Sequence, residues 1–448
     1  MLTRRDLLAS AAAPLVSAAP ARRPNFIVFL TDDHGFADLG CQGAKDLQSP
    51  HLDRLAQSGA RFTNWYANAP VCAPSRGALL TGRYPQRNGV VDNGIPLDPG
   101  EHTIASLLRS AGYATAAAGK WHLGSDDRTC PNAHGFDYFF GFHSGCIDYY
   151  SHRYYWGEPR TVNYHDLWRN RTEVFEDGQY MTELITREAV AWLERQRNQP
   201  FFLYVPFNGV HYPMHAPKKY VARFPASMDP ERRMYAAMLA AVDDSVGAVL
   251  DAVRRLGQLE NTFVFYQADN GATREPRAGL GGKPASAGGN GVLRGFKFSL
   301  FDGGMHVPSI MSWPGRIPAG QVIHEVGMSM DVLPTICKAA GVTLPRDRPC
   351  DGVDALPLAA SQAKSPHQAV FWASGGQLAV RHGKWKLVKD GFSADGSAEG
   401  RKKLAGDDAL WLSDLEQDPG ETKNLRHSEP ARADELLTMA QKWMAEVK

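Results

Sequence analysis

The chain has 448 residues, of which 43% are hydrophobic and 22% are charged, as is ordinary for a globular protein with a large core. The formal net charge is only +1, which argues against broad electrostatic attraction to nucleic acid or to an anionic membrane. Any recognition of an anion must therefore come from a local group of basic side chains.

The first 21 residues differ in composition from the rest of the chain. Arg4 and Arg5 precede an uncharged run rich in Ala, Leu and Val, and Ala19-Pro20-Ala21 resembles a small-x-small cleavage site. This pattern predicts a twin-arginine export signal in residues 1–21 and a periplasmic or secreted location. A disordered basic tail is the alternative. The apolar run is too short to span a membrane, and no later segment reaches spanning length.

Residues 22–345 contain a recurring unit in which a short apolar run is followed by a polar cluster and then by a helical pattern. The apolar runs lie at 26–30, 113–118, 201–205 and 262–266, and the clearest helical patterns cover 181–197 and 234–256. Continuous apolar runs of this length are typical of parallel strands buried on both faces. The alternation predicts an α/β catalytic domain with a mostly parallel central sheet, helices on both faces, and ligands bound at the carboxyl ends of the strands.

The pattern changes after about residue 345. Short strands are predicted at 369–372, 377–380 and 384–388, a fourth is predicted to start at Trp411, and a terminal helix is predicted at 431–447. Residues 346–448 are therefore predicted to form a small C-terminal α+β subdomain with a short antiparallel sheet and one helix.

The stretch from Val71 to Arg83, V-C-A-P-S-R-G-A-L-L-T-G-R, places Cys72 at the start of a predicted helix. Pro74 has a backbone angle that suits a first helical turn. A group at this position faces the positive end of the helix dipole, which stabilises negative charge. A buried core thiol is the alternative, because free cysteines are often buried.

Oxygen-bearing side chains follow two of the predicted strands. Asp32 and Asp33 end the first, and Asp269 and Asn270 end a later one. Carboxylates that converge at one sheet edge repel one another unless a cation holds them, and an all-oxygen set suits Ca²⁺ or Mg²⁺ rather than zinc. Turn or helix-cap chemistry is the alternative for an isolated Asp-Asp pair.

The stretch around Cys72 resembles the C-x-P-S-R and G-x-L-L-T-G-R signature of the formylglycine-dependent (type I) sulfatases of the alkaline phosphatase superfamily. Three further segments resemble blocks of that family: G-K-W-H-L-G at 119–124, an H-x-P segment at His211, and the segment 295–304 around Lys297. Asp302 and His306 stand where the family usually has Glu and Arg. These departures concern the packing behind the site more than Lys297 itself.

The resemblance implies an alkaline-phosphatase-like fold and a modified nucleophile. Cys72 would be oxidised by a dedicated formylglycine-generating enzyme to formylglycine, whose hydrate is the nucleophile, beside a single Ca²⁺ ion. The implied ligands of that ion are Asp32, Asp33, Asp269, Asn270 and the modified Cys72.

The resemblance also implies catalytic roles for individual side chains. Lys120 and Lys297 would bind and neutralise the sulfate group, and Arg76 would orient the nucleophile. His211 would contact the substrate and protonate its leaving oxygen, and His122 would take a proton from the nucleophile as sulfate is released.

The segment Gly145–His152 resembles the D-Y-Y-S-H segment of arylsulfatase B-like enzymes, which act as N-acetylgalactosamine-4-sulfatases. It implies a sulfated polysaccharide or oligosaccharide as substrate, with Asp148, His152 and Arg153 as further substrate-binding residues. Simple packing of an insertion is the alternative for these residues. Two rival functions remain open: a phosphonate monoester or phosphodiester hydrolase of the same superfamily, and a non-catalytic glycan-binding homologue. The paired lysines and the G-K-W-H-L-G block favour sulfate.

Overall fold

A computed structural model describes residues 22–155, 163–196, 199–276, 284–393 and 402–447. The predicted export signal in residues 1–21 lies outside the described residues. The strands, in chain order, are β1 (Asn25–Thr31), β2 (Ala60–Phe62), β3 (Trp65–Tyr66), β4 (Ala114–Lys120), β5 (Tyr138–Phe142), β6 (Trp168–Arg169), β7 (Thr172–Glu173), β8 (Phe201–Pro206), β9 (Thr262–Ala268), β10 (Ser309–Ser312), β11 (Gln321–Ile323), β12 (Gly327–Met328), β13 (Ala369–Ser374), β14 (Gln377–His382), β15 (Trp385–Lys389) and β16 (Leu410–Asp414). The α-helices are α1 (Pro50–Gln57), α2 (Cys72–Thr81), α3 (Pro85–Asn88), α4 (Ile104–Ser110), α5 (Met181–Arg195), α6 (Lys218–Val221), α7 (Pro230–Arg255), α8 (Asp302–Met305), α9 (Val332–Ala340), α10 (Leu356–Ser361) and α11 (Pro430–Glu446).

Ten of the described strands form one large sheet in the order β11-β2-β10-β9-β1-β8-β4-β5-β6-β7, and β12 pairs with β3 in a separate two-stranded sheet. Its centre, from β9 to β5, is parallel, and β10, β6 and β7 add antiparallel pairs towards the edges. The four strands predicted from apolar runs are β1, β4, β8 and β9, and they are neighbours in this centre. The predicted α/β fold with a mostly parallel sheet is therefore confirmed.

Strand β1 is apolar throughout because both of its faces are buried. Ile27 and Phe29 belong to the core on one face of the sheet, which includes buried residues of α5 and α7. Phe26, Val28 and Leu30 belong to the core on the opposite face, with residues of α2, α4 and α9. Because helices cover both faces of the sheet, neither the odd-numbered nor the even-numbered side chains of β1 can be polar. None of the helices in the described ranges is long and apolar enough to cross a membrane.

The C-terminal sheet, β13-β14-β15-β16, is antiparallel, as predicted. One of its faces packs against α11 through residues such as Leu387, Leu412 and Leu436. Trp372 on the sheet packs with Tyr66 and other residues of the large domain. Residues of α10 pack in the core of the large sheet, and the four-stranded sheet begins at Ala369. The domain boundary after residue 345 stays a prediction.

The central strands deliver their carboxyl ends to one edge, where the polar clusters lie. Asp32 and Asp33 follow β1, Asp269 and Asn270 follow β9, and Lys120 is the last residue of β4. Gly119 precedes that lysine with φ +136°, and a Cβ there would lie 1.9 Å from the carbonyl oxygen of Pro206. Only glycine lets β4 approach the end of β8 this closely.

Candidate active site

Asp32 lies at the meeting point of three predicted site residues. One oxygen, Oδ2, accepts from Lys120 Nζ at 2.6 Å and lies 3.4 Å from Arg76 Nη2. The other, Oδ1, lies 3.5 Å from Cys72 Sγ. Burial opposes ionisation of Asp32, but the positive charges of Lys120 and Arg76 outweigh it and hold its pKa well below the usual value. Asp32 is therefore ionised.

Asp33 has a left-handed backbone with φ 55°, a strained conformation for a residue other than glycine. Its carboxylate accepts from Lys297 Nζ at 2.9 Å and from Asn270 Nδ2 at 2.8 Å, and its own N–H donates to Asp269 Oδ1 at 3.2 Å. The strand-end groups of β1 and β9 are thus joined directly, as their parallel pairing allows.

Arg76 is fully buried and ties the two strand ends together. Its Nε and Nη2 donate to Asp269 Oδ2 at 3.1 and 2.8 Å, and its Nη1 donates to the Lys120 carbonyl oxygen at 3.2 Å. Burial disfavours the guanidinium charge, but the carboxylates of Asp269 and Asp32 outweigh it and raise the pKa of Arg76 above its ordinary value. The orienting contact between Arg76 and the nucleophile remains a prediction.

Cys72 is the first residue of α2, as the sequence predicts, and it is 1% exposed. The following N–H, of Ala73, donates to Asn93 Oδ1 at 3.0 Å, so the helix start is capped from a distant loop. Burial, helped by Asp32 and Asp269, raises the pKa of the Cys72 thiol well above its ordinary value, although Lys120 and Lys297 oppose the shift. The unmodified thiol is therefore neutral and a poor nucleophile.

His211 lies between Lys297 and Asp33. Its Nε2 is 3.4 Å from Lys297 Nζ and 3.6 Å from Asp33 Oδ2, while Nδ1 is 2.8 Å from the Tyr212 carbonyl oxygen. Burial, together with Lys297 and Lys120, lowers the pKa of His211 to about 3 despite the charge of Asp32. His211 is therefore neutral at pH 7 in this structure.

His122 also has a left-handed backbone, with φ 59°, and its ring lies against Gly145. Its Nδ1 is buried, with no hydrogen-bond partner among the described residues. Burial, then the charges of Lys120 and Arg76, lowers the pKa of His122 well below its usual value. His122 is therefore neutral, with one ring nitrogen that has no described partner.

The predicted metal ligands provide a suitable set of donors for a hard cation. Three of them, Asp32, Asp33 and Cys72, offer ligand atoms that lie within 4.8 Å of one another and of His211, which was not a predicted ligand. Asp269 is not in this group; its Oδ2 accepts from Arg76 and its Oδ1 accepts the Asp33 N–H. Asn270 Oδ1 is buried with no hydrogen-bond partner in the part of the chain that the structure describes. Burial, with the nearby charges of Asp32 and Asp269, raises the pKa of Asp33 to about 7 against the opposing charge of Lys297. A divalent cation would relieve this crowding and use the orphaned amide oxygen, so the residues fit Ca²⁺ or Mg²⁺.

A cavity of about 630 Å³ opens over this cluster. Cys72, His122, His211 and Lys297 lie in its wall, as do an aromatic group and the 93–96 loop. The aromatic group includes Tyr154 and Tyr164, which stack at 5.1 Å between ring centroids. The cavity is large enough for a monosaccharide unit bearing a sulfate group.

Asp148, His152 and Arg153, predicted to bind substrate, are not among the described residues that line this cavity. Asp148 Oδ1 accepts the N–H groups of Tyr150 and Ser151, closing a turn. His152 is fully buried, with Nε2 3.1 Å from the Gln179 carbonyl oxygen, and Arg153 is exposed. The D-Y-Y-S-H segment thus shapes its own loop, and direct substrate binding by these three residues has no support from their placement.

Glu275 is a cavity residue that the sequence did not reveal. It is 2% exposed, and its Oε2 lies 3.4 Å from Lys297 Nζ. Residues 273–291 are predicted to be a plain connecting loop, because they are rich in Gly, Ala and Pro. No periodicity or motif marks Glu275, and only the path of the loop brings its carboxylate to Lys297.

The Sulfatase family model matches residues 24–342, and the chain belongs to this family. The chain is 36% identical over 406 residues to N-acetylgalactosamine-6-sulfatase of Sus scrofa, which covers 85% of this chain and 74% of that protein. It is 34% identical to arylsulfatase A of Bos taurus, with 95% and 87% covered. The protein is therefore a sulfuric ester hydrolase, as predicted.

Solved structures agree with this assignment. Ps i-CgsB in complex with k-i-k-neocarrahexaose has a TM-score of 0.82 and 30% identity, with 94% of this chain and 93% of that chain covered. The phosphonate monoester hydrolase of Agrobacterium radiobacter has a TM-score of 0.64 at 20% identity, with 94% and 95% covered, which shows a shared fold alone. The phosphonate hydrolase alternative is therefore not favoured. The resemblance to the arylsulfatase B branch remains a prediction.

Proposed function

We propose that this sulfatase removes sulfate from polysaccharides or oligosaccharides, using a formylglycine made from Cys72 and a bound Ca²⁺ ion. The observation that carries the proposal is the convergence of Cys72, Lys297 and two histidines in the wall of one cavity above the strand-end carboxylates. The names of two matched proteins, an N-acetylgalactosamine sulfatase and a complex with a neocarrahexaose, support a sugar substrate.

The neutral state of the Cys72 thiol supports its conversion, because an unmodified thiol in this environment is a weak nucleophile. Formylglycine would supply a hydrated aldehyde there, and Ca²⁺ would lower the pKa of its hydroxyl group. Cys72 is almost fully buried, so the formylglycine-generating enzyme would act before the chain folds. Conversion in the cytoplasm followed by twin-arginine export to the periplasm or beyond is consistent with this order.

The ion would be held by Asp32, Asp33, Asp269 and Asn270 together with the modified Cys72. Lys297 lies in the cavity wall and would bind a sulfate oxygen, and Lys120 would add positive charge from the end of β4. Such preorganised charges stabilise the negative charge that develops on a reacting sulfate ester.

The two histidines would move protons in opposite directions. His211 is neutral without substrate, and an anionic sulfate beside it would raise its pKa, so that it could protonate the departing sugar oxygen. His122 has a buried nitrogen without a described partner and would accept a proton from the nucleophile. Arg76 would keep Asp269 and the end of β4 in register during both transfers.

The mass of the Cys72 peptide tests the nucleophile. Protein produced with a formylglycine-generating enzyme should show a loss of about 18 Da at Cys72, and Cys72→Ala should remove both the mass change and the activity. Full activity of Cys72→Ala towards a sulfate ester would refute the proposed nucleophile.

Chelation tests the metal. Removal of Ca²⁺ should lower the melting temperature, because the ion stabilises the folded state by about 3 kcal/mol at a concentration 100 times its Kd. Re-addition of Ca²⁺ should restore it. The matched control is Asp269→Asn, whose melting temperature should respond much less to the chelator. A wild-type melting temperature that is indifferent to both steps would contradict the calcium site.

Direct comparison of p-nitrophenyl sulfate with a phosphodiester analogue tests the chemistry. We expect a clear preference for the sulfate ester, because the chain belongs to the Sulfatase family and a phosphodiester of the same charge carries a second ester group that the site would also have to accommodate. A preference for the phosphodiester would favour the phosphonate hydrolase alternative. Sugar binding without turnover by fully converted protein would favour the non-catalytic homologue.

A further inference from the structure

The loop that carries Lys297, residues 293–301, is tied to both halves of the active site. The N–H of Lys297 donates to the Ala272 carbonyl oxygen at 2.9 Å, two residues beyond the predicted ligand Asn270. The N–H of Phe298 donates to the Pro70 carbonyl oxygen at 2.8 Å, just before Cys72. The position of the Lys297 backbone is thus set relative to both the nucleophile and the carboxylates.

Phe298 has a backbone conformation that is unfavourable for a bulky residue. Its φ is 77°, in the left-handed region, although it is a bulky aromatic residue whose side chain lines the cavity. Such a backbone persists only where the surroundings hold it in place. A contact from outside the loop must therefore hold the residue that follows Lys297.

Gln377, the first residue of β14 in the C-terminal sheet, supplies that contact. Its Nε2 donates to the Phe298 carbonyl oxygen at 2.7 Å, and its Oε1 accepts the Leu300 N–H at 3.1 Å. Oε1 also accepts the Phe392 N–H at 3.0 Å, which anchors the amide to its own subdomain. Gln377 is 2% exposed, so water does not replace these bonds. The amide holds the loop on both sides of Ser299.

We propose that Gln377 is a positioning residue for Lys297, through which the C-terminal sheet sets the affinity of the site for the sulfate group. The inference rests on the proposed role of Lys297 as a sulfate-binding residue. Without the amide, the backbone at Phe298 relaxes and the Lys297 ammonium leaves its place between Asp33 and the cavity. A shift of about 1 Å in a charged group at a reacting centre costs up to about a hundredfold in rate.

The substitution Gln377→Leu removes both hydrogen bonds to the Lys297 loop, as well as the one from the Phe392 N–H, with little change in size. We expect kcat/KM for p-nitrophenyl sulfate to fall by about tenfold or more and the inhibition constant of inorganic sulfate to rise in parallel. Val380→Ala is the matched control, because Val380 lies on the same strand and is buried against α11. It should lower the melting temperature yet leave KM and the inhibition constant unchanged.

A double-mutant cycle separates positioning from general destabilisation. In a Lys297→Ala background, Gln377→Leu should cause no further loss of kcat/KM, since the group that it positions is gone. Equal losses in both backgrounds, or wild-type kinetics of Gln377→Leu alone, would overturn the proposal. Wild-type kinetics of Lys297→Ala alone would refute the sulfate-binding role itself, which is a distinguishable result.

A second variant keeps the test valid if Gln377→Leu does not fold. Gln377→Met keeps the length of the side chain but removes both the donor to the Phe298 carbonyl oxygen and the acceptor for the Leu300 N–H. It should show the same parallel change in kcat/KM and in sulfate inhibition. A folded Gln377→Met protein with wild-type values for both would overturn the proposal.

Discussion

His122 and His211 are neutral in this structure for the same physical reason, namely burial next to positive charges. Their neighbours differ, however, because His122 Nδ1 has no hydrogen-bond partner among the described residues, whereas His211 lies between two charged groups. His211 lies 3.6 Å from Asp33 and 3.4 Å from Lys297, so it responds to any charge placed in the cavity. A bound anion would stabilise the imidazolium form of His211. This suits a proposed general acid that is protonated only when substrate is bound.

The substitution His211→Asn tests the acid role at this residue. An acid matters most when the leaving oxygen is a strong base, as in a sugar or alkyl sulfate. We expect the rate with such a substrate to fall by about 10²–10⁴. The rate with p-nitrophenyl sulfate should fall much less, because p-nitrophenolate leaves without a proton. Steady-state kinetics with both substrates measures the ratio.

His143→Asn is the control for that comparison. His143 also lines the cavity but stacks between Phe139 and Trp168, with ring centroids 5.3 Å from each. Its replacement should affect both substrates to a similar extent. Equal losses for the two substrates in His211→Asn would contradict the acid role.

Strand β4 is the element on which the placement of Lys120 depends. Its close approach to β8 requires Gly119, where a Cβ would meet the Pro206 carbonyl oxygen. The same crowding recurs one strand further, because a Cβ on Gly141 of β5 would lie 1.8 Å from the Gly119 carbonyl oxygen. These glycines let the ends of β8, β4 and β5 lie close together without side chains between them.

Gly119→Ala should therefore lower the free energy of unfolding by about 3 kcal/mol or more, since backbone atoms cannot yield as a flexible side chain can. Urea unfolding measures the change. Gly320→Ala is the matched control: φ is 72° there but nothing lies within 4 Å of the added Cβ, so only about 1–2 kcal/mol is lost to backbone strain. Similar losses in the two variants would show that the approach of β8 does not constrain Gly119.

At the scale of the whole molecule, a buried charge cluster joins the C-terminal sheet to the large domain. Lys386 of β15 is fully buried, and its Nζ lies 2.6 Å from Asp302 Oδ1 and 3.2 Å from Glu421 Oε1. The hydroxyl of Tyr66 donates to Asp302 Oδ2 at 2.7 Å. Asp302, which stands where the resemblance to sulfatases leads one to expect Glu, thus has a partner on each carboxylate oxygen. His306, which stands where Arg is expected, has its Nε2 2.7 Å from the Thr63 carbonyl oxygen.

Lys386→Met should destabilise the protein by about 3–5 kcal/mol, because it leaves two buried carboxylates without their cation. Thermal or urea unfolding measures the loss. Lys384→Met is the matched control, since Lys384 pairs with Asp414 at 2.7 Å but is one-third exposed, so a much smaller loss is expected. Comparable losses in the two variants would show that burial does not govern the strength of this cluster.

The sequence by itself determined the central sheet and most of the site. A strand buried on both faces has to be apolar throughout, so β1, β4, β8 and β9 are visible as runs, and their carboxyl ends have to share one edge. Asp32 and Asp269 are therefore predictable at that edge from the residues alone, whereas Cys72 and Lys297 were placed beside them by the resemblance to the sulfatase motifs.

Only the tertiary structure decided which residues of the irregular segments reach the cavity. Periodicity reports which face of an element is buried, but the path of a loop depends on contacts distant in the chain. Glu275 is brought to Lys297, whereas Asp148 closes a local turn. The short strands β2, β10 and β11 were not predicted, since three or four residues carry too little pattern. The hydrogen bond from Gln377 to the Phe298 carbonyl oxygen joins residues that are 79 positions apart in the chain, and no local sequence pattern indicates it.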